Sequence, residues 1–332
     1  MNQWLLVGAL AALAAGLRRR YLDRPTQPIY AKDFAGEIYR IGACHALVRR
    51  AQGKPRTSVV CVPGFLEEVW YFDGLYDDPH TECIYLNNAD YHVTTVSPEA
   101  RTQQPEWDRP LPYAVGTIAH DAAVLNLVLE HLVHADHVRL HGHSRGGAVV
   151  LEAALQRPDL HHRAGCDIEY VLEAPVLPQG RIHPGLRVAA TGFGLWLLPA
   201  LMPLLQRLPM RRLGRLVFGP PSGQKLELAS RLWFNPKRAR TIVTNVRDIE
   251  FWMASRTTAA YEVLQDARGW ILVAEMDLIL SRRHMARSAH QAGGTITVLE
   301  IPATSHMLAQ DAPGEIPMLT GSEPVSPRKT GS

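Results

Sequence analysis

Cysteine is scarce in this chain of 332 residues: there are four, and no two of them are spaced as C-x-x-C. This excludes a disulfide scaffold and favours a reducing compartment. No uninterrupted apolar run reaches the ~18 residues of a transmembrane helix, which excludes a polytopic membrane protein. Hydrophobic residues make up 46% and charged residues 20%, which excludes a disordered, collagen-like or coiled-coil chain. The length predicts about two domains, or one large α/β domain with an insertion.

One apolar run, Trp4–Leu17, lies near the N-terminus and is followed at once by Arg18, Arg19 and Arg20. As a helix its 14 residues would span about 21 Å, less than the ~30 Å of a bilayer core. The positive charge follows the run, whereas a cleaved signal peptide carries it in front. We expect residues 1–22 to form a short membrane anchor, spanning or interfacial, with the rest of the chain on the cytoplasmic side. A soluble packed helix or a removed targeting peptide is the alternative.

Hydrophobic periodicity divides the remaining chain into strands and helices. Loose alternation over residues 37–50 suggests early strands, and short β-branched runs predict strands at Ser58–Val62, Tyr91–Val96, Val138–His141, Ile168–Leu172, Trp270–Ala274 and Thr295–Ile301. Helical patterns occupy 117–134 and Gly146–Gln156. Strands separated by helix-length segments predict parallel β-α-β units. We assign residues 23–180 and 248–312 to this α/β core, and the Pro-, Gly- and Ser-rich residues 313–332 to a disordered tail.

The strongest motif is Gly142-His143-Ser144-Arg145-Gly146, which follows a predicted strand and precedes a predicted helix. This is G-x-S-x-G in the strand–turn–helix context that exposes a nucleophilic serine. Side chains at positions 142 and 146 would collide with the neighbouring strand and helix. The turn also places Ser144 at a helix N-terminus, where free N–H groups favour developing negative charge.

A nucleophilic serine needs a base and an acid that orients the base. His306 follows the last predicted strand, where α/β sheets place groups that face a ligand. Asp277 follows the preceding strand, and we prefer it over the neighbouring Glu275 because it lies further beyond the sheet edge. Glu173, at the end of the strand IEYVLE, is the reserve candidate for the acid.

Two backbone N–H groups are needed to hold an oxyanion. Arg145, directly after the serine, would supply one, and Phe65, in the loop VCVPGFLEE after the first strong strand, would supply the other. His131, His134 and His137 are spaced three apart like metal ligands, but a helix would place them on different faces. We expect them on a solvated face and predict no metal site.

These motifs together resemble the α/β-hydrolase superfamily over residues 37–310, through VCVPGF, GHSRGG, VAEMD and SHMLAQDAP. The resemblance implies an α/β-hydrolase fold, with a mostly parallel eight-stranded sheet, helices on both faces and a helical cap inserted after the sixth strand. It implies Ser144, Asp277 and His306 as the catalytic triad. Epoxide hydrolases and dehalogenases of this fold carry aspartate at the nucleophile position, so Ser144 argues against both.

The segment 181–247, where the cap is expected, holds twelve Lys and Arg residues against the single carboxylate of Glu227. Its net charge is +11, so the rest of this chain of net charge +3 carries −8. Apolar runs such as Gly192–Leu205 accompany the charge, and Pro199 and Pro203 prevent one long helix. We expect a basic amphipathic lid that lies on an anionic membrane surface. An ordinary cap with solvated arginines is the alternative.

The sequence therefore predicts an esterase- or lipase-like serine hydrolase that cleaves a carboxylic ester, or a thioester, with a hydrophobic acyl chain. An acyltransferase that uses the same acyl-enzyme and a non-catalytic protein that binds hydrophobic ligands are the two rivals. We expect no cofactor, because this chemistry needs none. We expect no nucleic-acid partner, since the sequence holds no P-loop, G-x-G-x-x-G or nucleic-acid-binding module.

Overall fold

The computed structural model describes residues 3–22, 32–91, 93, 95, 101–163, 165–187, 219, 225 and 239–319. A nine-stranded sheet in the order β5-β1-β2-β4-β3-β6-β7-β8-β9 forms its centre. The strands are β1 Glu37–Ile41, β2 Cys44–Arg49, β3 Thr57–Val62, β4 Thr81–Asn87, β5 Thr102–Gln103, β6 His137–His143, β7 Asp167–Glu173, β8 Arg268–Ala274 and β9 Ile296–Ile301.

Strand pairing is parallel from β4 through β3, β6, β7 and β8 to β9, and antiparallel where β2 meets β1 and β4. The expected mostly parallel α/β-hydrolase sheet is confirmed. The expected count of eight strands is one too low, because the two-residue strand β5 pairs with β1 at the edge. So short a strand has no periodicity from which it could be predicted.

Helices cover the two faces of the sheet unequally. The helices are α1 Gln3–Leu22, α2 Ile118–His131, α3 Arg145–Gln156, α4 Pro158–His161, α5 Pro184–Arg187, α6 Ala239–Ser255, α7 Arg282–Ala289 and α8 Leu308–Asp311. Apolar residues of α2, α3, α6 and α7 pack with Val60, Val138 and Leu140 on one face. The other face is covered by a 3-10 turn at Val69–Phe72 and by α8. This thinner cover leaves room for polar side chains beneath it.

Three assignments along the chain differ from those expected. Strand β4 at Thr81–Asn87, whose residues are all buried, is not among the expected strands, and of the strand expected at Tyr91–Val96 only residues 91, 93 and 95 are described. Helix α6 runs through position 247, so the expected cap boundary falls inside a continuous helix. Of the disordered tail expected over 313–332, the described part is ordered at its start, where Pro313–Glu315 forms a 3-10 turn and Ile316 is buried, and residues 320–332 lie outside the described residues.

The N-terminal helix α1 presents its apolar residues to the surroundings. Its exposed large hydrophobic side chains are Trp4, Leu5, Leu6, Val7, Leu10, Leu13 and Leu17. In the part of the chain that the structure describes, no helix has both the length and the hydropathy needed to cross a membrane. Most of the cap expected over 181–247 lies outside the described residues.

Candidate active site

Ser144 lies in the sharp turn between β6 and α3, with φ 52° and ψ −118°. This left-handed φ is unfavourable for a residue with a side chain and is held by backbone hydrogen bonds. Ser144 N donates to Glu173 O at 2.9 Å, and Val176 N donates to Ser144 O at 2.8 Å. A Cβ atom on Gly146 would lie 2.0 Å from Val62 O, so glycine is required there for β3 and α3 to approach. The motif thus aims the serine hydroxyl away from the sheet.

His306 and Asp277 meet Ser144 in a line of two hydrogen bonds. His306 Nε2 lies 2.8 Å from Ser144 Oγ, and His306 Nδ1 lies 2.7 Å from Asp277 Oδ2. An ionised carboxylate only accepts, so Nδ1 carries the proton and Nε2 is free to accept from the serine hydroxyl. The other oxygen of Asp277 accepts from the backbone N–H groups of Ile279 and Leu280 at 2.7 and 2.8 Å. The structure therefore brings together the three residues that the motifs indicate.

The loop that carries His306 is fixed from both sides. Met276 N donates to Thr304 O at 2.8 Å, which ties this loop to the one that carries Asp277. Ser305 donates through its N–H and its hydroxyl to Asp311 at 2.7 and 2.6 Å. Lys225, from the segment expected to form the cap, donates to Ser305 Oγ at 3.0 Å. A residue of the inserted segment thus packs directly against the histidine loop.

Glu173 faces a different set of groups from Asp277. Its carboxylate binds the Tyr71 hydroxyl, His141 Nε2 at 2.9 Å and the backbone N–H of Ala309 at 2.7 Å. Burial disfavours its charge, but the nearby positive charge of His143 and these donors prevail and lower the pKa of Glu173 to about 2. Glu173 is thus a buried carboxylate that braces the region beneath the site. Glu275 is occupied elsewhere, since it accepts from Ala303 N at 2.9 Å.

The loop of Gly64 and Phe65 lies directly against the serine. A Cβ atom on Gly64 would lie 2.7 Å from Ser144 Cβ, so only glycine allows this approach. In the described structure no protein group accepts a hydrogen bond from the backbone N–H of Phe65 or of Arg145. Both N–H groups expected to hold the oxyanion are therefore available to a ligand.

The comparisons with known proteins agree with this geometry. Residues 59–316 match the sequence profile of the alpha/beta hydrolase family. The chain belongs to this family. A search of curated protein sequences found no match.

Solved structures resemble this member of the family in fold. The esterase EaEST from Exiguobacterium antarcticum has a TM-score of 0.54 and 15% identity, covering 84% of this chain and 96% of the esterase. The carboxylesterase CesB from Bacillus subtilis has a TM-score of 0.51 and 14% identity, with coverage of 92% and 94%. The N-acyl homoserine lactonase AidH, bound to N-butanoyl homoserine, has a TM-score of 0.54 and 13% identity, with coverage of 85% and 93%.

Two residues that flank the serine, His143 and Arg145, form buried contacts that motif analysis missed. His143 Nδ1 lies 2.6 Å from Glu67 Oε2, its Nε2 lies 2.8 Å from His306 O, and its ring stacks on Tyr71. Burial disfavours the charged ring, but the carboxylates of Glu67 and Glu173 prevail and raise the pKa of His143 to about 9. Motif analysis assigns to Arg145 a backbone role alone, yet its side chain is fully buried.

One set of described side chains has the donor atoms of a metal site: those of Cys44, His120 and Asp121 lie within 4.8 Å of one another. Arg145 Nη1 lies 2.7 Å from Asp121 Oδ2, so a permanent positive charge already neutralises this carboxylate. Burial also raises the pKa of the Cys44 thiol, which disfavours the thiolate that a metal would need. The set does not fit a cation.

Of the three histidines expected on a solvated face, His131 and His134 are exposed and His137 is half-buried, and each also contacts a neighbouring side chain. His131 stacks on Trp107 at 4.5 Å, and His134 Nδ1 lies 2.9 Å from Glu82 Oε1. His137 Nδ1 lies 3.0 Å from Asp167 Oδ2. Helix α2 ends at His131, so the three do not share a helix.

Proposed function

We propose that this member of the alpha/beta hydrolase family is a serine hydrolase that cleaves carboxylic esters, or thioesters, through an acyl-enzyme on Ser144. The observation that carries the proposal is the line from Ser144 Oγ through His306 to Asp277, with hydrogen bonds of 2.8 and 2.7 Å. Such a line activates a hydroxyl that is otherwise a weak nucleophile. Esterases, a carboxylesterase and a lactonase among the structural neighbours support the same reaction class.

The mechanism follows from the positions of these groups. Ser144 Oγ attacks the ester carbonyl carbon while its proton passes to His306 Nε2, and Asp277 stabilises the imidazolium that forms. The carbonyl oxygen becomes an oxyanion between the N–H groups of Phe65 and Arg145. When this intermediate collapses, His306 returns the proton to the departing alcohol. A water molecule then attacks the acyl-enzyme, gives its proton to His306 and releases the acid, and Ser144 regains its proton.

The acyl group that we propose for the substrate is hydrophobic. Met276 and Leu278, on either side of Asp277, are exposed large hydrophobic residues, and Phe65 is half-buried beside the serine. Apolar side chains around a polar centre are typical of sites that bind such acyl groups. A panel of p-nitrophenyl esters of increasing chain length, together with N-acyl lactones, would rank the substrates.

Covalent labelling and turnover test the proposal together. We expect a fluorophosphonate probe to label Ser144 and Ser144→Ala to lose both labelling and at least about 10⁴-fold in kcat, since the triad acts as a unit. The melting temperature should change little, because the hydroxyl contributes few contacts. Turnover by Ser144→Ala at the wild-type rate would end the proposal. Adding an alcohol acceptor and analysing the products distinguishes hydrolysis from acyl transfer.

We further propose that the enzyme works at an anionic membrane surface, on the cytoplasmic side. The exposed apolar residues of α1, followed by Arg18–Arg20, support this attachment, as does the +11 charge of segment 181–247. Full-length protein should float with anionic vesicles at low and at high salt, because apolar insertion is not screened. Protein lacking residues 1–31 should bind only at low salt, since the charge attraction decays over a Debye length of ~8 Å at physiological salt. Release of the full-length protein by salt would contradict anchoring by α1.

A further inference from the structure

The two peptide groups of Gly64 are each held by a side chain that is itself bound to a neighbour of Ser144. On one side, Gly64 N donates to Glu67 Oε2 at 2.7 Å, and the same oxygen accepts from His143 at 2.6 Å. On the other side, Asn88 Nδ2 donates to Gly64 O at 2.7 Å, and Asn88 Oδ1 accepts from Arg145 Nη1 at 3.0 Å.

The orientation of the Phe65 N–H depends directly on the hydrogen bond from Asn88 to Gly64 O. Gly64 C=O and Phe65 N–H belong to one planar trans peptide, in which the two groups point in opposite directions. Asn88, by holding the carbonyl oxygen, therefore sets the direction of the N–H. Arg145 holds Asn88 in turn, and Arg145 is fixed by Asp121 at 2.7 Å.

The histidine on the other flank holds two loops at once. Both ring nitrogens of His143 face acceptors, the Glu67 carboxylate and the backbone carbonyl of His306. Only a doubly protonated ring donates to both. It thereby links the Gly64 loop to the loop of the catalytic histidine.

A strained residue next in the chain indicates that this loop is held in place. Leu66 has a left-handed φ of 61°, a conformation that persists only where the surroundings impose it. Its N–H donates to the Tyr91 hydroxyl at 3.0 Å, and that hydroxyl lies 2.9 Å from Asn245 Oδ1 on α6.

We propose that His143 and Arg145 are positioning residues, which fix the Gly64–Phe65 peptide through Glu67 and Asn88 so that the Phe65 N–H meets the oxyanion. The proposal rests on the proposed ester hydrolysis. Neither side chain touches the reacting atoms. Their contribution arises only when charge develops on the carbonyl oxygen, so it belongs to kcat and not to KM.

The experiment removes the hydrogen bond from Asn88 to Gly64 O and leaves the buried Arg145–Asp121 pair intact. Asn88→Leu keeps the number of side-chain heavy atoms and the absence of charge, but leucine cannot donate a hydrogen bond to Gly64 O. We expect kcat for p-nitrophenyl butyrate to fall about 10- to 100-fold with KM within about 2-fold, because an oxyanion donor is misaligned and not removed. Affinity for a trifluoromethyl ketone, which forms a covalent oxyanion on the serine, should fall by the same factor.

Asn126→Leu is the matched control. Asn126 is also a buried asparagine, and it donates to the backbone carbonyl of Ala153 at 3.1 Å, away from Ser144. It should lower the melting temperature as Asn88→Leu does, while kcat stays within about 2-fold of wild type. If Asn88→Leu does not fold, Asn88→Ser replaces it, since the shorter hydroxyl cannot reach Gly64 O.

The role of His143, on the other side of Ser144, is tested by His143→Gln. The control is His161→Gln, which alters a buried histidine that contacts Tyr170 and Asn126. We expect about a 10-fold loss of kcat in the first and none in the second. Equal kcat in each variant and its control, or a loss confined to KM, would overturn the positioning role. Activity in Ser144→Ala would instead refute the proposed function, so the two failures are distinguishable.

Discussion

The two faces of strand β6 are built from opposite kinds of residue, although both are buried. Val138 and Leu140 point into the apolar cluster formed with α2 and α3. The alternate residues, which are Arg139, His141 and His143, point to the other face and are fully buried as well. The next strand supplies their partners, since Glu169 pairs with Arg139 and Glu173 with His141. A row of buried ionisable side chains, which we call the charged row, therefore runs through the interior and ends beside Ser144, although burial lowers the pKa of His141 and disfavours its charge.

One strand therefore combines two tasks. The apolar face packs, whereas the charged face holds parts of the chain that have no regular structure. Arg139, for example, donates to the backbone carbonyls of Pro317 and Met318, and so fixes the segment after residue 312. His143 holds the loops of Gly64 and His306 in the same way. Buried charges tolerate little change, because a lost partner leaves an uncompensated ion.

The largest expected effect distinguishes two carboxylates: Asp277, which contacts His306, and Glu173, which contacts His141 in the charged row. Asp277→Asn should lower kcat about 10³- to 10⁴-fold with a nearly unchanged melting temperature, because the amide no longer holds the histidine in its working tautomer. Glu173→Gln should do the reverse, keeping most activity and losing stability through its contacts with Tyr71 and His141. Measurements of kcat and of the melting temperature on both variants test this assignment. A large loss of kcat in Glu173→Gln with near-normal kcat in Asp277→Asn would assign the triad acid to Glu173.

A smaller effect compares the two faces at adjacent positions. Arg139→Met should destabilise the fold by about 3 kcal/mol, because Glu169 keeps only its contacts with Arg268 and His137, and the carbonyls that Arg139 holds lose their donor. The double variant Arg139→Met/Glu169→Met should recover only part of this loss, because the two carbonyls that Arg139 held remain unpaired and the contacts of Arg268 and His137 with Glu169 are lost as well. Leu140→Ala, on the apolar face, should lower stability by about 2–5 kcal/mol through a cavity, and no charge-removing second change should restore it.

Urea denaturation of these variants measures the free energies of unfolding directly. If Arg139→Met and the double variant are equally stable, the ion pair at Glu169 is not what makes this face sensitive.

The sequence sufficed for those parts of the site whose chemistry requires a fixed local pattern. Gly142, Ser144 and Gly146 could be placed because the turn admits few residues, and His306 and Asp277 because α/β sheets carry reacting groups beyond the strand ends. The bracing contacts could not be predicted. Glu67 and Asn88 lie in loops without periodicity, and they acquire partners only when β3, β4 and β6 come together.

The charged face of β6 left a signal in the sequence, namely a basic residue at every second position from His137 to His143. The apolar residues between them are the ones that predict this strand. Strand β4 is not predicted for a related reason, since TECIYLN holds two β-branched residues whereas YHVTTV holds four. Tertiary burial outweighed that local preference, as every residue of β4 is buried.

The smallest expected effect concerns pH and the last residue of the charged row. The groups that face the ring of His143 are Glu67, Tyr71, His141, Glu173, and both the carbonyl and the ring of His306. The folded state raises the pKa of His143 from 6.5 to about 9, so it binds this proton more tightly than the unfolded chain does. The resulting stabilisation is complete below pH 6.5 and is lost as the pH rises through about 9. Glu173 stays ionised throughout this window, because its pKa is about 2.

The free energy of unfolding of wild type should therefore exceed that of His143→Gln most at pH 6, and the difference should shrink steadily towards pH 9.5. Contributions from titrating groups that are not coupled to His143, such as His161, cancel in this difference because both proteins share them. Urea titrations of the two proteins at four or more pH values measure it, and a difference independent of pH would show that His143 is not held as an imidazolium.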